Sequence, residues 1–205
     1  AFGALHGIPP ERQYTDYRAM IERERPDIVS ITTQPEHRAE IAIFAAENGV
    51  KALYCEKPLC ASMEEADRLT EAVERNGVRF TMGVNYRWDS GTVLVKEMLA
   101  ADRVGALQTI LLYPGRGLFN MGSHALAVAQ FLNDDVPAAW VQATVVEGEV
   151  FQGDVIVSDP QVSAIIGWES GVTAHLVASS RSFGWEAICQ RGTLGAQNNH
   201  LDWEM

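Results

Sequence analysis

The first half of the chain alternates short apolar runs with longer stretches patterned at helical spacing. Asp27 to Thr32 is a run rich in β-branched residues that reads as a strand. A turn at Gln34-Pro35 leads into a predicted helix from Glu36 to Asn48, with Gly49 as its C-terminal cap. Lys51 to Cys55 reads as the next strand. Ser62 and Glu65 have the spacing of a capping box, opening a helix that runs to about Asn76 and stops at Gly77. Arg79 to Val84 is a further strand. Ahead of these, Asp16 to Arg25 reads as a helix ended by Pro26, with Tyr17, Met20 and Ile21 on one face and no strand before it. Nearly continuous apolar strands separated by single helices predict a parallel sheet of βαβ units, half of a doubly wound domain.

Beyond Arg87 the rhythm changes. Val93 to Ala101 is predicted helical and Leu107 to Tyr113 a strand; a glycine-rich turn follows, then a helix from about Gly122 to Leu132. Ala139 to Val146, Val162 to Trp168, Val172 to Ala178 and Trp185 to Gln190 read as antiparallel strands, with Ser170-Gly171 a hairpin turn. The fold class predicted is α/β: a partial Rossmann-type parallel sheet over residues 1–84, then an α+β domain with a mostly antiparallel open sheet over residues 85–205.

Candidate chemistry sits first at Glu56-Lys57-Pro58, which closes the run from Lys51 to Cys55. In open α/β sheets ligands bind outside the carboxyl ends of the strands, so a charged pair held there by a proline reads as a site. A lysine acts as acid or base there when burial or a nearby positive charge lowers its pKa. The competing reading is a solvated charge pair starting a loop.

Composition narrows the classes. A 205-residue chain that is 47% hydrophobic is globular, and 16 basic against 27 acidic residues, a net charge of −11, disfavours nucleic acid and anionic membrane surfaces as partners. No apolar stretch reaches the length of a membrane span, and the opening residues lack the pattern of a signal peptide, so a cytoplasmic protein is expected. Cys55, Cys60 and Cys189 predict reduced structural thiols, with neither a disulfide framework nor a metal site.

Taken in order, Pro26 to Thr33, the run from Gly49 into Cys55-Glu56-Lys57-Pro58, Asn85-Tyr86-Arg87, and Gly122-Ser123-His124 resemble the Gfo/Idh/MocA family of glucose-fructose oxidoreductases and inositol dehydrogenases. The resemblance implies an NAD(P)-binding Rossmann domain joined to an α/β domain whose open sheet covers the active site and often builds oligomers. It also implies hydride exchange between NAD or NADP and a hydroxyl-bearing carbon of a sugar, cyclitol or related polyol, and a homo-oligomer. By position, Lys57 matches the lysine that holds and polarises the reacting hydroxyl, and His124 the histidine that serves as acid/base. Thr33, Pro35, Glu56, Lys57, Pro58 and Arg87 are the expected cofactor contacts.

The pattern departs from the family in three places. The position four residues before the histidine, commonly an aspartate, is Asn120; an asparagine orients a hydroxyl or a histidine but takes up no proton, leaving proton transfer to His124 and Lys57. An aspartate there would share a helical face with the histidine. After Thr33 the family's helix-opening histidine is replaced by Arg38, with His37 beside it. The strand, G-x-G-x-x-G turn and second strand that open family members are not found, and the chain stops at Met205 after Gly192-Thr193-Leu194-Gly195, which resembles a turn of the second sheet. A fragment with exposed sheet edges is therefore expected. The run from Gly115 to Gly122 has its third glycine too late for a dinucleotide cradle and reads as a turn leading into His124.

Other residues carry two readings. Arg87 serves equally as a cofactor contact or a surface ion pair, and His124 as catalyst or core residue. Tyr86 and Trp88 read as packing at the domain junction, Trp140, Trp168 and Trp185 as core or interface, and His175 and His200, in a strand and a tail, as structural. Two other functions stay open: an NAD-using lyase or glycosidase on the same scaffold, to which Asn120 would belong, and a non-catalytic sensor or partner-binding relative.

Overall fold

The computed structural model describes residues 2–115, 117–147, 151–152, 155–156 and 158–204. It divides into two compact units, Ala1–Gly83 and Val84–Met205.

The first unit runs α1 (Phe2–Leu5), a 3-10 turn (Pro10–Arg12), α2 (Tyr17–Glu24), β1 (Ile28–Ile31), α3 (Pro35–Glu47), β2 (Ala52–Cys55), α4 (Met63–Arg75) and β3 (Arg79–Met82). Asp16 caps α2 by accepting the Arg18 N–H at 2.9 Å, and Arg25, left-handed at φ 46°, ends it before Pro26. Ser62 Oγ caps α4 through the Glu65 N–H at 3.2 Å. The return arm differs from a simple capping box, since the Glu65 carboxylate accepts from Ala61 N–H at 2.9 Å rather than from Ser62. The three strands are parallel in the order β1-β2-β3, with Ile31 opposite Cys55 and Cys55 opposite Met82.

Burial on this sheet alternates, contrary to the near-continuous pattern expected. Val29, Ile31, Leu53 and Cys55 join Ile21 of α2, Ile41, Ala42, Ala45 and Ala46 of α3 and Leu69 of α4 in one core, while Ile28, Ser30 and Tyr54 point to an exposed face. The small side chains of α3 let its backbone lie close to the sheet, and the sequence from Val50 into β2 follows directly on its C-terminus.

In the second unit a 3-10 turn (Asn85–Trp88) precedes α5 (Ser90–Ala100), β4 (Leu107–Tyr113), a π-helical segment (Gly117–Gly122) and α6 (Ser123–Leu132). The strands that follow are β5 (Trp140–Glu147), β6 (Phe151–Gln152), β7 (Val155–Ile156), β8 (Gln161–Gly167), β9 (Thr173–Leu176), β10 (Gly184–Cys189), β11 (Gly192–Gln197) and β12 (Asp202–Glu204). Seven strands form one sheet in the order β12-β11-β10-β4-β9-β8-β5, and β6 pairs with β7. Neighbours in the large sheet are antiparallel except β4 and β9, which run parallel. Gly171, at φ 85°, makes the β8–β9 turn and donates to the Trp168 carbonyl at 3.0 Å. The core joins Ala125, Val128, Ala129 and Leu132 of α6 to Ile110 and Leu112 of β4, with Trp168, Phe183, Trp185 and Leu194.

Two expectations are corrected here. Gly192 to Gly195 is not a turn but the first part of β11, paired along its length with β10. The tail is built into the fold: Asn198, Asn199 and His200 are all left-handed, at φ 52°, 57° and 64°, and bend the chain back so that β12 pairs with β11. His200 is buried there and accepts the Trp185 indole N–H at 2.9 Å. Of the tryptophans read as core or interface, Trp185 is fully buried in the core, while Trp140 is 49% exposed and keeps the interface reading. Among the described residues no helix is long and apolar enough to cross a membrane, and no group of His, Cys, Asp and Glu is placed to hold a metal.

Candidate active site

In the first unit the candidate residues gather at the carboxyl ends of β1 and β2. The ladder continues one step past each strand, with Glu56 N–H on the Ile31 carbonyl at 2.9 Å and Gly83 N–H on the Cys55 carbonyl at 2.8 Å. The turn after β2 is thereby anchored at its first residue. Glu56 folds back to accept the Lys57 N–H at 3.2 Å, and its carboxylate lies beside Tyr54, raising that phenol's pKa together with burial, the larger cause. A side chain at Gly83, where β3 ends, would have to displace the Tyr54 hydroxyl and the Glu56 carboxylate. Lys57-Pro58 is a cis peptide, and Lys57 and Pro58 are half-buried.

Pro35 is the first residue of α3 and Thr33 is exposed just before it. One turn into α3 comes Arg38, 3% exposed, which donates through Nη1 to the Pro58 carbonyl and through Nη2 to the Thr33 carbonyl. This side chain ties the two strand-end loops together. Cys55, fully buried at the end of β2, has its thiol pushed up to about 11 by burial, with the Arg38 charge pulling the other way. In the sequence pattern Arg38 stands only as a mismatch to the family's histidine. The signal was its place on the apolar stripe of α3 with Ile41, Ala42 and Ala45, where a charged residue needs a reason.

In the second unit, His124 sits in the first turn of α6 and is 5% exposed. The Tyr86 ring meets it edge-on at 5.0 Å between centroids and stacks on Phe183 at 4.5 Å. Tyr86 therefore packs inside this unit, held also by the buried Thr92 hydroxyl on its carbonyl at 2.9 Å. Asn120 is exposed and belongs to the π-helical segment, whose i→i+5 pattern breaks the α-helical spacing to position 124. The two residues differ in environment rather than lining one helical face. Asp159 accepts the N–H groups of Phe119 and Asn120 at 2.7 and 3.0 Å, and Ser123 Oγ donates to the Asn120 carbonyl at 2.8 Å. Gly117, at φ 71°, leaves room for that carboxylate where any Cβ would strike it. Asp159 is a second residue that sequence reasoning missed, and no local pattern marks it.

Arg87 grips Asp135 with both Nη atoms, one of them at 2.7 Å, and its guanidinium lies 4.8 and 4.9 Å from the rings of Trp88 and Phe131. The ion-pair reading has its partner in Asp135. Of the Gly115 to Gly122 run, Arg116 lies outside the described residues, and the rest leads into His124 through the π-helical segment rather than a loop.

A family model described as an oxidoreductase family with an NAD-binding Rossmann fold matches residues 4–84. Over 200 residues the chain is 29% identical to the D-apiose dehydrogenase of Paraburkholderia graminis, an alignment covering 89% of this chain and 51% of that protein. It is 34% identical over 95 residues to the inositol 2-dehydrogenase of Salmonella typhimurium, covering 46% of this chain and 28% of that one. An inositol dehydrogenase homologue from Azotobacter vinelandii, solved with NADH and myo-inositol, shares the fold at a TM-score of 0.82 and 21% identity, over 97% of this chain and 59% of that chain. The chain thus spans about half the length, or less, of the curated relatives it matches. The parallel βαβ ladder and the Glu56-Lys57-Pro58 turn that follows β2 lie within the matched residues, and by that match the first unit belongs to the Gfo/Idh/MocA oxidoreductase family.

Proposed function

We propose that this chain is part of an NAD(P)-dependent oxidoreductase that exchanges hydride between nicotinamide and a hydroxyl-bearing carbon of a sugar, cyclitol or related polyol. The observation that carries the reading is the strand-end turn of Glu56, Lys57 and Pro58 at the carboxyl edge of a parallel sheet, where doubly wound folds receive dinucleotides. The relatives named for inositol and D-apiose support the substrate class.

A dinucleotide fits the first unit's residues. Arg38 is a buried cation whose Nη atoms meet carbonyls and whose Nε has no partner, so a positive charge without a paired carboxylate stands below the loops and favours an anionic ligand. Thr33, Pro35, Glu56, Lys57 and Pro58 would hold the cofactor, with Arg87 a further proposed contact that pairs with Asp135 in the free protein. When bound, the nicotinamide takes up or returns the hydride. In this reading Lys57 binds and polarises the substrate hydroxyl with its ammonium. Asn120 orients the substrate through its amide, which donates and accepts but does not titrate. His124 receives the hydroxyl proton on its imidazole, the Tyr86 ring limiting the planes that imidazole can adopt. The protein is further proposed to act in the cytoplasm as a homo-oligomer; the edge strand β5, with Trp140, Val141, Val145 and Val146 exposed, supports the latter.

The test uses the full protein that carries this chain. Reduced-nicotinamide absorbance is followed with NAD and NADP against inositols, pentoses and anhydrosugars. Lys57→Ala and His124→Ala should each lower kcat, per folded molecule, by on the order of a hundredfold or more; the thermal midpoint stays near the parent's for half-buried Lys57 and falls for buried His124. Full turnover in both variants overturns the assignment. Asn120 favours one second reading, a lyase or glycosidase using tightly held NAD; turnover with no net reduction of nicotinamide would select it.

A further inference from the structure

We infer that Arg38 is a positioning residue: its guanidinium fixes the carbonyls of Thr33 and Pro58 against each other and so sets where Lys57 is presented. The catalytic part of this statement rests on the function proposed above.

Three observations carry the inference. Arg38 belongs to the rigid first turns of α3, and its two Nη atoms donate to loops that follow different strands, one after β1 and one after β2. Only a planar fork makes both bonds from one side chain; a lysine offers a single donor centre on a flexible stem. The bonded carbonyl after β2 is that of Pro58, the residue next to Lys57, so the lysine's backbone is held from below by Arg38 and from its own N–H by Glu56.

Energetics argue against a purely stabilising role. Arg38 occupies a core stripe position at 3% exposure, and no carboxylate pairs with it among the described residues. Burying a charge is destabilising unless it is well compensated, and an apolar residue of similar volume is often neutral or stabilising at such a place. Two neutral carbonyls and an unpartnered Nε compensate it incompletely. A group that costs stability at a strand end, while holding both loops of the candidate site, is best accounted for by what it positions.

The experiment compares the parent with Arg38→Met and Arg38→Lys in two readouts. The first is N-ethylmaleimide labelling of the folded protein, resolved by peptide mass. Cys55, sealed beneath the turn, should label about tenfold faster or more in both variants, while Cys189, buried in the second unit, stays at the parent rate and controls for global unfolding. The second is turnover per folded molecule, counted by nicotinamide binding. There kcat should fall by about a hundredfold with KM for NAD changed far less, as expected for a misplaced catalytic group. If Arg38→Met does not fold, Arg38→Lys keeps the stem and charge, lacks the fork, and decides the matter. Unchanged Cys55 labelling overturns the inference. Faster labelling with kcat per folded molecule intact also overturns it, leaving Arg38 structural. A parent with no turnover on any polyol sinks the proposed function instead, and the Cys55 rate alone then decides whether Arg38 holds the turn.

Discussion

Cys55 offers a measurement of how dry the floor of the candidate site is. Its side chain is fully buried one residue before Glu56, and burial raises the thiol from an ordinary 9.0 to about 11. In the unfolded chain the thiol loses its proton near the ordinary value. Below that value both states hold the proton, and Cys55 contributes its full stability. Between the two values the unfolded state releases a proton that the folded state retains, so stability falls as pH rises through the window. Each pH unit is worth about 1.4 kcal/mol, and the separation therefore caps the loss at roughly 2–3 kcal/mol. Urea unfolding followed by far-ultraviolet circular dichroism, from about pH 8 to pH 10.5, supplies the curve for the parent and for Cys55→Ala. All five tryptophans lie in the second unit, so their fluorescence separates that unit's transition. Phenols such as Tyr54 titrate in both proteins and cancel in the difference. The gap between parent and variant should close as the solution turns alkaline. A gap constant across the range would mean that the thiol titrates in the fold as it does in water, and that the end of β2 is wet.

Two further outcomes follow from the second unit. Gly117→Ala places a Cβ on the Asp159 carboxylate at a left-handed backbone, and should cost about 1–2 kcal/mol for the backbone alone plus the bonds to Phe119 and Asn120. Chemical denaturation read by tryptophan fluorescence checks it, and a loss under about half a kcal/mol refutes the placement of Asp159. His200 is held neutral chiefly by burial, with Asp89 at 3.8 Å opposing, so its pKa lies below the ordinary 6.5. Stability of this unit is complete above that value and is lost as pH falls below it, because the unfolded imidazole binds a proton that the folded one resists. A nuclear magnetic resonance titration placing His200 at or above 6.5 contradicts this.

Much of the element order was legible because each segment carries its own stop and start. β4 spans the residues predicted for it, Leu107–Tyr113, and Ser62 caps α4 as its spacing foretold. Partner choice was less legible. β4 takes a parallel neighbour in β9 because the chain leaves β4 through α6 and β8 before returning, a tertiary outcome with no local signature. Gly192-Thr193-Leu194-Gly195 looked like a turn because glycines usually mark one. Here Gly195 packs against the Trp185 carbonyl, too close for a side chain, and is a strand glycine by contact. Asn198-Asn199 did hold a usable signal, since asparagine tolerates the left-handed conformation that folds His200 inward. For the site, Lys57 could be read from its place after a strand. Arg38 required seeing a charge on an apolar stripe, and Asp159, distant in sequence from Asn120, could not be found without the fold.

Under the proposed chemistry, the asparagine at 120 changes how the second unit works. A carboxylate side chain at that exposed position would bring negative charge and a proton acceptor out into solvent. Here the nearby carboxylate is Asp159, and its oxygens are spent on the backbone N–H groups of Phe119 and Asn120. Negative charge thus stabilises the segment from behind, where it complements the amide dipoles that open the helix leading to His124. What faces outward at 120 is a neutral amide. The π-helical step then turns the chain so that four residues on, His124 is buried against Tyr86 while Asn120 remains in solvent. In the proposed function, orientation and proton transfer are divided between two residues in different surroundings. Under the proposed chemistry, that division leaves the imidazole as the second unit's single proton acceptor among the candidate residues, and makes the packing of Tyr86 on Phe183 part of how the proton is directed.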